Sequence, residues 1–189
     1  ALVGAGYVAT HHLAALKQLD FVDVVGICDP QLPAAQALAD RFGVKRVAAR
    51  LDDLADLQPQ AVYVLTPPAF HAAIALQAME MGCHVLVEKP MADTVADCES
   101  MIAAARLRKL QLGVNHSDLF DPVVMQALQA VRDGRIGDVV SVEIVRNSEY
   151  PPYAGGPLPG SVTQGSYPFR DLGVHGLYTI EAFLGPVRD

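Results

Sequence analysis

The chain has 189 residues, 51% of them hydrophobic, and a net charge of −7. That suits one generous domain, or one domain and part of another, with apolar side chains enough for a substantial core. The acidic balance and the lack of any Lys/Arg cluster argue against nucleic acid as a partner. No apolar run reaches membrane-spanning length and no signal peptide opens the chain, so no membrane partner is expected. Cys28, Cys83 and Cys98 are odd in number and far apart. They read as small core residues in a reducing compartment, which makes a cytoplasmic location the expectation.

In chain order, Ala1-Leu2-Val3 is an apolar strand running into Gly4-Ala5-Gly6-Tyr7-Val8-Ala9, a G-x-G-x-x-A turn. Gly4 permits the tight strand-to-helix turn, and Gly6 lets the backbone approach a pyrophosphate. Ala9 keeps the helix close to the strand, while the helix N-terminus, at Tyr7 and Val8, offers amide N–H groups to phosphates. The helix continues to Leu19 with Leu13, Leu16 and Leu19 on one face. The second strand, Val22 to Asp29, ends twenty residues after Ala9 in a carboxylate placed to accept hydrogen bonds from the adenosine ribose hydroxyls. A strand before the turn, a helix after it and an acid at the second strand end together predict a dinucleotide site rather than a turn used only for packing.

A helix follows from Pro33 to Arg41, closed by Gly43, and then a less regular stretch including Leu51-Asp52-Asp53-Leu54. Ala61 to Leu65 is a buried strand, Pro68 begins a helix ending near Gly82, and His84 to Glu88 is the fourth strand. Thr94 to Lys109 is an amphipathic helix and Gln111 to Asn115 the next strand. Apolar strands with helical crossovers predict an α/β fold, a doubly wound parallel sheet covered on both faces, with ligands at the carboxyl ends of its strands.

The pattern changes near residue 120. Pro122 to Arg132 is helical, Gly134 and Gly137 mark a turn, and Val139 to Glu149 is one long strand-like stretch. A loop rich in Pro, Gly and Tyr covers Tyr150 to Pro168, and a last helix runs from Phe169 to Leu184. One strand and one or two helices cannot close a second core. The division expected is 1–118 for the nucleotide-binding domain and 119–189 for the start of a second domain, in a segment of a longer polypeptide.

Two groups could carry chemistry. In Glu88-Lys89-Pro90 the lysine lies where the fourth strand emerges, placed to hold a substrate oxygen and stabilise developing alkoxide charge. The alternative is a surface Lys–Glu pair before a strand-ending proline. In Asp171-Leu172-Gly173-Val174-His175 the acid and the imidazole are four apart on one helix face. They could move a proton and orient a hydroxyl, or be an ordinary surface pair, and Gly173 leaves room for something close to the backbone. His11, His12 and His84 read as structural histidines. Zinc would need three or four converging ligands, so no metal is expected.

Taken in order, the G-x-G-x-x-A turn, Asp29, Glu88-Lys89-Pro90 and the D-x-G-x-H helix resemble the Gfo/Idh/MocA oxidoreductases. Thr66-Pro67-Pro68-Ala69-Phe70-His71 and Gly134-Arg135-Ile136-Gly137 are similar to family segments at the same places. The resemblance implies that Gly4, Gly6 and Asp29 serve the ADP half of NAD and that Thr66, Pro67 and His71 line its middle. Glu88, Lys89, Pro90 and Asn115 approach the nicotinamide. Lys89, Asp171 and His175 match the family's catalytic trio, for hydride transfer between nicotinamide C4 and a carbinol carbon of a sugar, cyclitol or related polyol. It also implies an open, mostly antiparallel sheet in the second domain and a homo-oligomer. A redox-assisted glycosidase and a non-catalytic nucleotide-binding regulator are other roles found among such proteins. NAD is expected over NADP, because Asp29 would repel a 2′-phosphate and Pro30, Gln31 and Leu32 offer no cation. Three features depart from the family pattern. Tyr178 stands where many relatives carry Asp, Ser117 where they carry Arg, and the loop with Tyr150, Tyr153, Gly155, Gly156 and Tyr167 is not general.

Overall fold

The computed structural model describes residues 1–146 and 169–186, so the expected loop from Tyr150 to Pro168 lies outside the described residues. The chain divides into two compact units, Ala1–Asn115 and His116–Asp189.

The first unit is a six-stranded, all-parallel sheet. Its strands are β1 (Leu2–Val3), β2 (Ile27–Cys28), β3 (Val47–Ala48), β4 (Ala61–Val64), β5 (His84–Val87) and β6 (Leu112–Val114). They lie in the order β3-β2-β1-β4-β5-β6. The helices α1 (Tyr7–Leu16), α2 (Leu32–Phe42), α3 (His71–Glu80) and α4 (Val95–Arg108) form the crossovers. The two-residue side-chain period of the strands divides the core cleanly. Leu2 and Ile27 pack with Leu13, Leu16 and Leu38 of α1 and α2. Val3, Cys28, Val64 and Val87 pack on the other face with Ala75, Met79, Met101 and Ala105 of α3 and α4. Thr94 caps α4 by accepting the Asp97 amide at 3.1 Å. Because the strand order reverses between β1 and β4, their carboxyl ends open a crevice, the usual place for a ligand in such sheets.

β2 is shorter than the Val22–Asp29 expected, and β3 was not expected at all. A ladder extends only as far as its neighbours, and β2 meets Leu2–Val3 on one side and Val47–Ala48 on the other. Residues 22–26 are outside any strand, although Val24 is buried.

The chain leaves β1 through Gly4, whose φ is +104°. Its amide donates to the Cys28 carbonyl at 2.8 Å. A Cβ there would lie 2.7 Å from the Leu65 carbonyl oxygen, so the turn excludes any side chain twice over, by dihedral and by space.

In the second unit a short 3-10 turn, Ser117–Phe120, leads into α5 (Pro122–Arg132), which Asp121 caps by accepting the Val123 amide at 2.8 Å. The expected strand from Val139 to Glu149 is not formed where it is described: residues 139–146 join no ladder, and Val140 is 93% exposed. An alternating pattern becomes a strand only beside a partner, and the second unit has no strand among the described residues. The last helix begins with a π turn, Phe169–Gly173, and continues as α6 (Val174–Leu184). The room beside Gly173 is taken by the Phe169 ring, whose Cδ2 would lie 2.9 Å from an added Cβ. Among the described residues no helix is long and apolar enough to cross a membrane.

Gly4→Ala therefore costs the fold about 2 kcal/mol or more, from left-handed strain plus the clash with Leu65. Urea denaturation should show a clearly lower midpoint for the variant; an unchanged midpoint would contradict the geometry of the turn.

Candidate active site

At the carboxyl edge of the first unit, α1 starts at Tyr7 with Gly6 as its N-cap and no side chain capping it. The first-turn amides at Tyr7 and Val8 are those a helix cannot satisfy internally, and they carry the positive end of its dipole. A Cβ on Gly6 would meet nothing within 4 Å, so the space over the turn is open. Asp29, expected to receive ribose hydroxyls, also braces the turn: its Oδ2 accepts the Ala5 amide at 2.8 Å and its Oδ1 the Gln31 amide at 2.7 Å. A carboxylate accepts about four hydrogen bonds, so capacity remains for a ribose. Thr66 Oγ1 is a buried oxygen without a hydrogen-bond partner among the described residues. A buried hydroxyl is rarely left so, and here it lies beside the crevice. An open glycine cradle, uncapped amides, a strand-end carboxylate and an orphaned hydroxyl fit a dinucleotide.

Lys89 is held by what flanks it. Glu88 Oε1 receives His12 Nε2 at 2.9 Å and Asn115 Nδ2 at 2.6 Å, and Glu88 Oε2 receives the Lys89 amide at 3.1 Å. Burial by itself would raise the Glu88 pKa, but the hydrogen bonds from His12 and Asn115 outweigh it and hold the carboxyl below the ordinary glutamate value. On the other side the Lys89–Pro90 peptide is cis. The Pro90 carbonyl faces His71 Nδ1 at 3.0 Å, and the Thr66 carbonyl faces His71 Nε2 at 2.7 Å. His71 is fully buried, and its ring cross-links the segments after β4 and β5. It acts as a brace between two expected cofactor segments. His12, read from sequence as structural, is drawn into the same edge and also meets the Tyr63 ring edge-on at 5.6 Å.

Cys28 and Cys83 are buried core residues, whereas Cys98 on α4 is only partly buried; burial together with nearby Asp29, Asp53 and Asp52 pushes the Cys28 thiol to about 11. His84 Nδ1 accepts the Gln111 amide at 3.0 Å.

In the second unit the π turn carries Asp171 and α6 carries His175. The structure surrounds His175 with residues the sequence did not single out together. Its Nδ1 lies 3.2 Å from Asp118 Oδ1 and also meets the Tyr178 hydroxyl. Tyr178 accepts the Asp118 amide at 3.2 Å, and the His116 ring stacks on it with centroids 4.1 Å apart. Arg146 pairs with Asp118. Burial raises the Tyr178 phenol and lowers the His116 imidazole. Tyr178 was visible in sequence only as a departure from the family pattern, and His116 only as the neighbour of another departure, Ser117. Asp118 carried no local signal, because its partner Tyr178 is sixty residues away. Lys89 belongs to the first unit, and Asp171 and His175 to the second.

A carboxyl whose pKa is depressed on folding adds stability above its unfolded pKa, and that stability is lost as pH falls through the folded value. Acid unfolding should therefore set in below the ordinary glutamate value of 4.5 with a contribution from Glu88. In Glu88→Gln, stability measured against pH should fall less steeply there. Identical acid limbs for the two proteins would show that the Glu88 network does not hold a charged carboxylate.

A family described as an oxidoreductase family with an NAD-binding Rossmann fold matches residues 1–116. D-glucoside 3-dehydrogenase of Escherichia coli (strain K12) is 32% identical over 98% of this chain and 53% of its own length. Inositol 2-dehydrogenase of Rhizobium meliloti (strain 1021) is 30% identical over 97% of this chain and 54% of its own. Among solved structures, GenD2 from gentamicin A biosynthesis, in complex with NAD, has a TM-score of 0.80 at 28% identity, covering 97% of this chain and 52% of that one. The chain thus spans about half the length of these relatives. With its strand order, its glycine cradle and these likenesses together, it belongs to the Gfo/Idh/MocA family of oxidoreductases.

Proposed function

We propose that the chain is the cofactor-binding part, with a portion of the substrate-binding part, of an NAD-dependent dehydrogenase acting on a carbinol carbon of a sugar, cyclitol or related polyol. The observation that carries this is the open cradle at Gly6, with uncapped α1 amides on one side and Asp29 on the other, at the same sheet edge where Lys89 is clamped. The dehydrogenase names of the relatives supply the substrate class.

Gly4, Gly6, Tyr7, Val8 and Asp29 hold the ADP half of the cofactor, Thr66, Pro67 and His71 its middle, and Glu88, Lys89, Pro90 and Asn115 the nicotinamide end. When bound, the dinucleotide supplies the acceptor for a hydride leaving the carbinol carbon. Lys89 holds the hydroxyl oxygen and stabilises negative charge on it. His175 takes the hydroxyl proton as general base, so that loss of one proton and one hydride leaves a carbonyl. Asp171 positions the substrate. Glu88 keeps its carboxylate through His12 and Asn115, which fixes the backbone from which Lys89 projects. Asp29 favours NAD, since its charge opposes a 2′-phosphate.

A panel of polyols, aldoses and sugar acids incubated with NAD should include one that yields NADH, and NADH should bind more tightly than NADPH. Lys89→Ala should lower kcat/KM by roughly 10²-fold, far more than it weakens NADH binding. Unchanged turnover in Lys89→Ala would remove the lysine from the chemistry. NADPH binding as tight as NADH would remove the argument from Asp29.

A further inference from the structure

We propose that His12 is a positioning residue for Lys89: its Nε2–H holds the Glu88 carboxylate, and that carboxylate holds the backbone amide of the lysine. One imidazole on the helix that opens the glycine cradle thereby ties this helix to the segment after β5. The consequence for turnover rests on the dehydrogenase reading above; the proton placement and the backbone tether do not.

The chemistry of the partners fixes which way the hydrogen bond runs. Glu88 Oε1 meets His12 Nε2 at 2.9 Å and Asn115 Nδ2 at 2.6 Å, and Glu88 Oε2 meets the Lys89 amide at 3.1 Å. Burial opposes charge on this carboxyl, yet the hydrogen bonds from His12 and Asn115 hold it below the ordinary glutamate value, so it is ionised near neutral pH. An ionised carboxylate only accepts. The ring nitrogen that meets it therefore carries hydrogen, whether the imidazole is neutral or charged. A bare Nε2 would set a lone pair against the anion.

The tether joins four elements. His12 lies on α1 beside the buried Leu13, and its ring meets the Tyr63 ring of β4 edge-on. Glu88 follows β5 and Asn115 follows β6. The His12 and Glu88 side chains are each 12% exposed, so water screens the pair weakly. Asn115 shares Oε1 with His12, whereas Oε2 is left to the Lys89 amide. Without the imidazole only one donor remains on Oε1, and the carboxylate can rotate about its soft terminal torsion away from the Lys89 amide. The reach of the donor also matters. A Gln at position 12 brings its amide nitrogen to about the place of Nε2. An Asn ends near the place of Nδ1 and falls short of Glu88.

The test is hydrogen exchange at assigned amides of the full chain, followed by NMR, beside His12→Gln and His12→Asn. In His12→Asn the Lys89 amide should exchange at least roughly tenfold faster, while the Leu65 and Ile27 amides, bonded within the sheet, keep their rates. In His12→Gln the Lys89 rate should stay within about threefold of that in the unaltered protein. A Lys89 amide that exchanges alike in all three proteins overturns the tether. So does an equal acceleration at Lys89, Leu65 and Ile27 in His12→Asn, which marks a general loosening of the fold. A long-range 1H–15N correlation reads the ring without any variant having to fold: His12 should carry hydrogen on Nε2, and hydrogen on Nδ1 alone overturns the donor assignment. With an active substrate, His12→Asn should lose roughly tenfold in kcat/KM, and His12→Gln should recover most of the loss. An unchanged kcat/KM in His12→Asn overturns the positioning role. If nothing in the panel is oxidised the dehydrogenase reading falls, and exchange at the Lys89 amide still decides the tether.

Discussion

The turn at Gly4 is the constraint on which the sheet edge depends. β1 and β4 lie side by side, Leu65 donates its amide to the Val3 carbonyl at 2.8 Å, and the chain must still turn away into α1. That is possible only with a positive φ and no Cβ, because the Leu65 carbonyl already occupies the space. The tight exit brings the start of α1 to the crevice, with its uncapped amides at the edge where a pyrophosphate would sit. Gly6 has a different task. Its backbone is ordinary for any residue, with φ −79° and ψ −173°, so the absence of a side chain there serves the space above the turn and not the fold.

Around that exit the edge is built from satisfied polar groups, and each joins two segments. Asp29 ties the end of β2 to the glycine turn through the Ala5 amide. Glu88 ties α1, β5 and β6 together through His12 and Asn115. His71 ties the segments after β4 and β5. Buried polar groups stabilise a unique arrangement only when fully paired, and these are paired with backbone as often as with side chains. Thr66 Oγ1 breaks the rule among the described residues, just beyond the carboxyl end of β4. The second unit gathers Asp118, Tyr178 and the stacked His116 ring around His175.

Much of the first unit was legible in the residues because its information is local. The glycine spacing marked the turn, Thr94 marked the start of α4, and the apolar runs at residues 61–65 and 84–88 marked β4 and β5. Elements set by neighbours were not legible. β3 is two residues long, and β2 is trimmed to the length of its partners. The alternation after Val139 found no partner strand among the described residues. The site residues divide the same way. Gly4, Gly6, Asp29 and Lys89 announce themselves through motif and position. His12 reaches Glu88 across 76 residues, and Asp118 reaches Tyr178 across 60, distances at which no periodicity speaks. Tyr178 stands out in the sequence only as a departure from the family pattern, and the contact of its hydroxyl with His175 is set by the fold.

The central claim is that the open space over Gly6 exists for a dinucleotide. Fluorescence titration of NADH into Gly6→Ala beside the unaltered protein tests it most directly, because a methyl group at that position fits the backbone and touches nothing in the protein. The account predicts an unfolding midpoint equal to or slightly above that of the unaltered protein, together with NADH affinity weakened by at least roughly tenfold, a change of about 1.4 kcal/mol. Equal NADH affinity in a fully folded Gly6→Ala would contradict it.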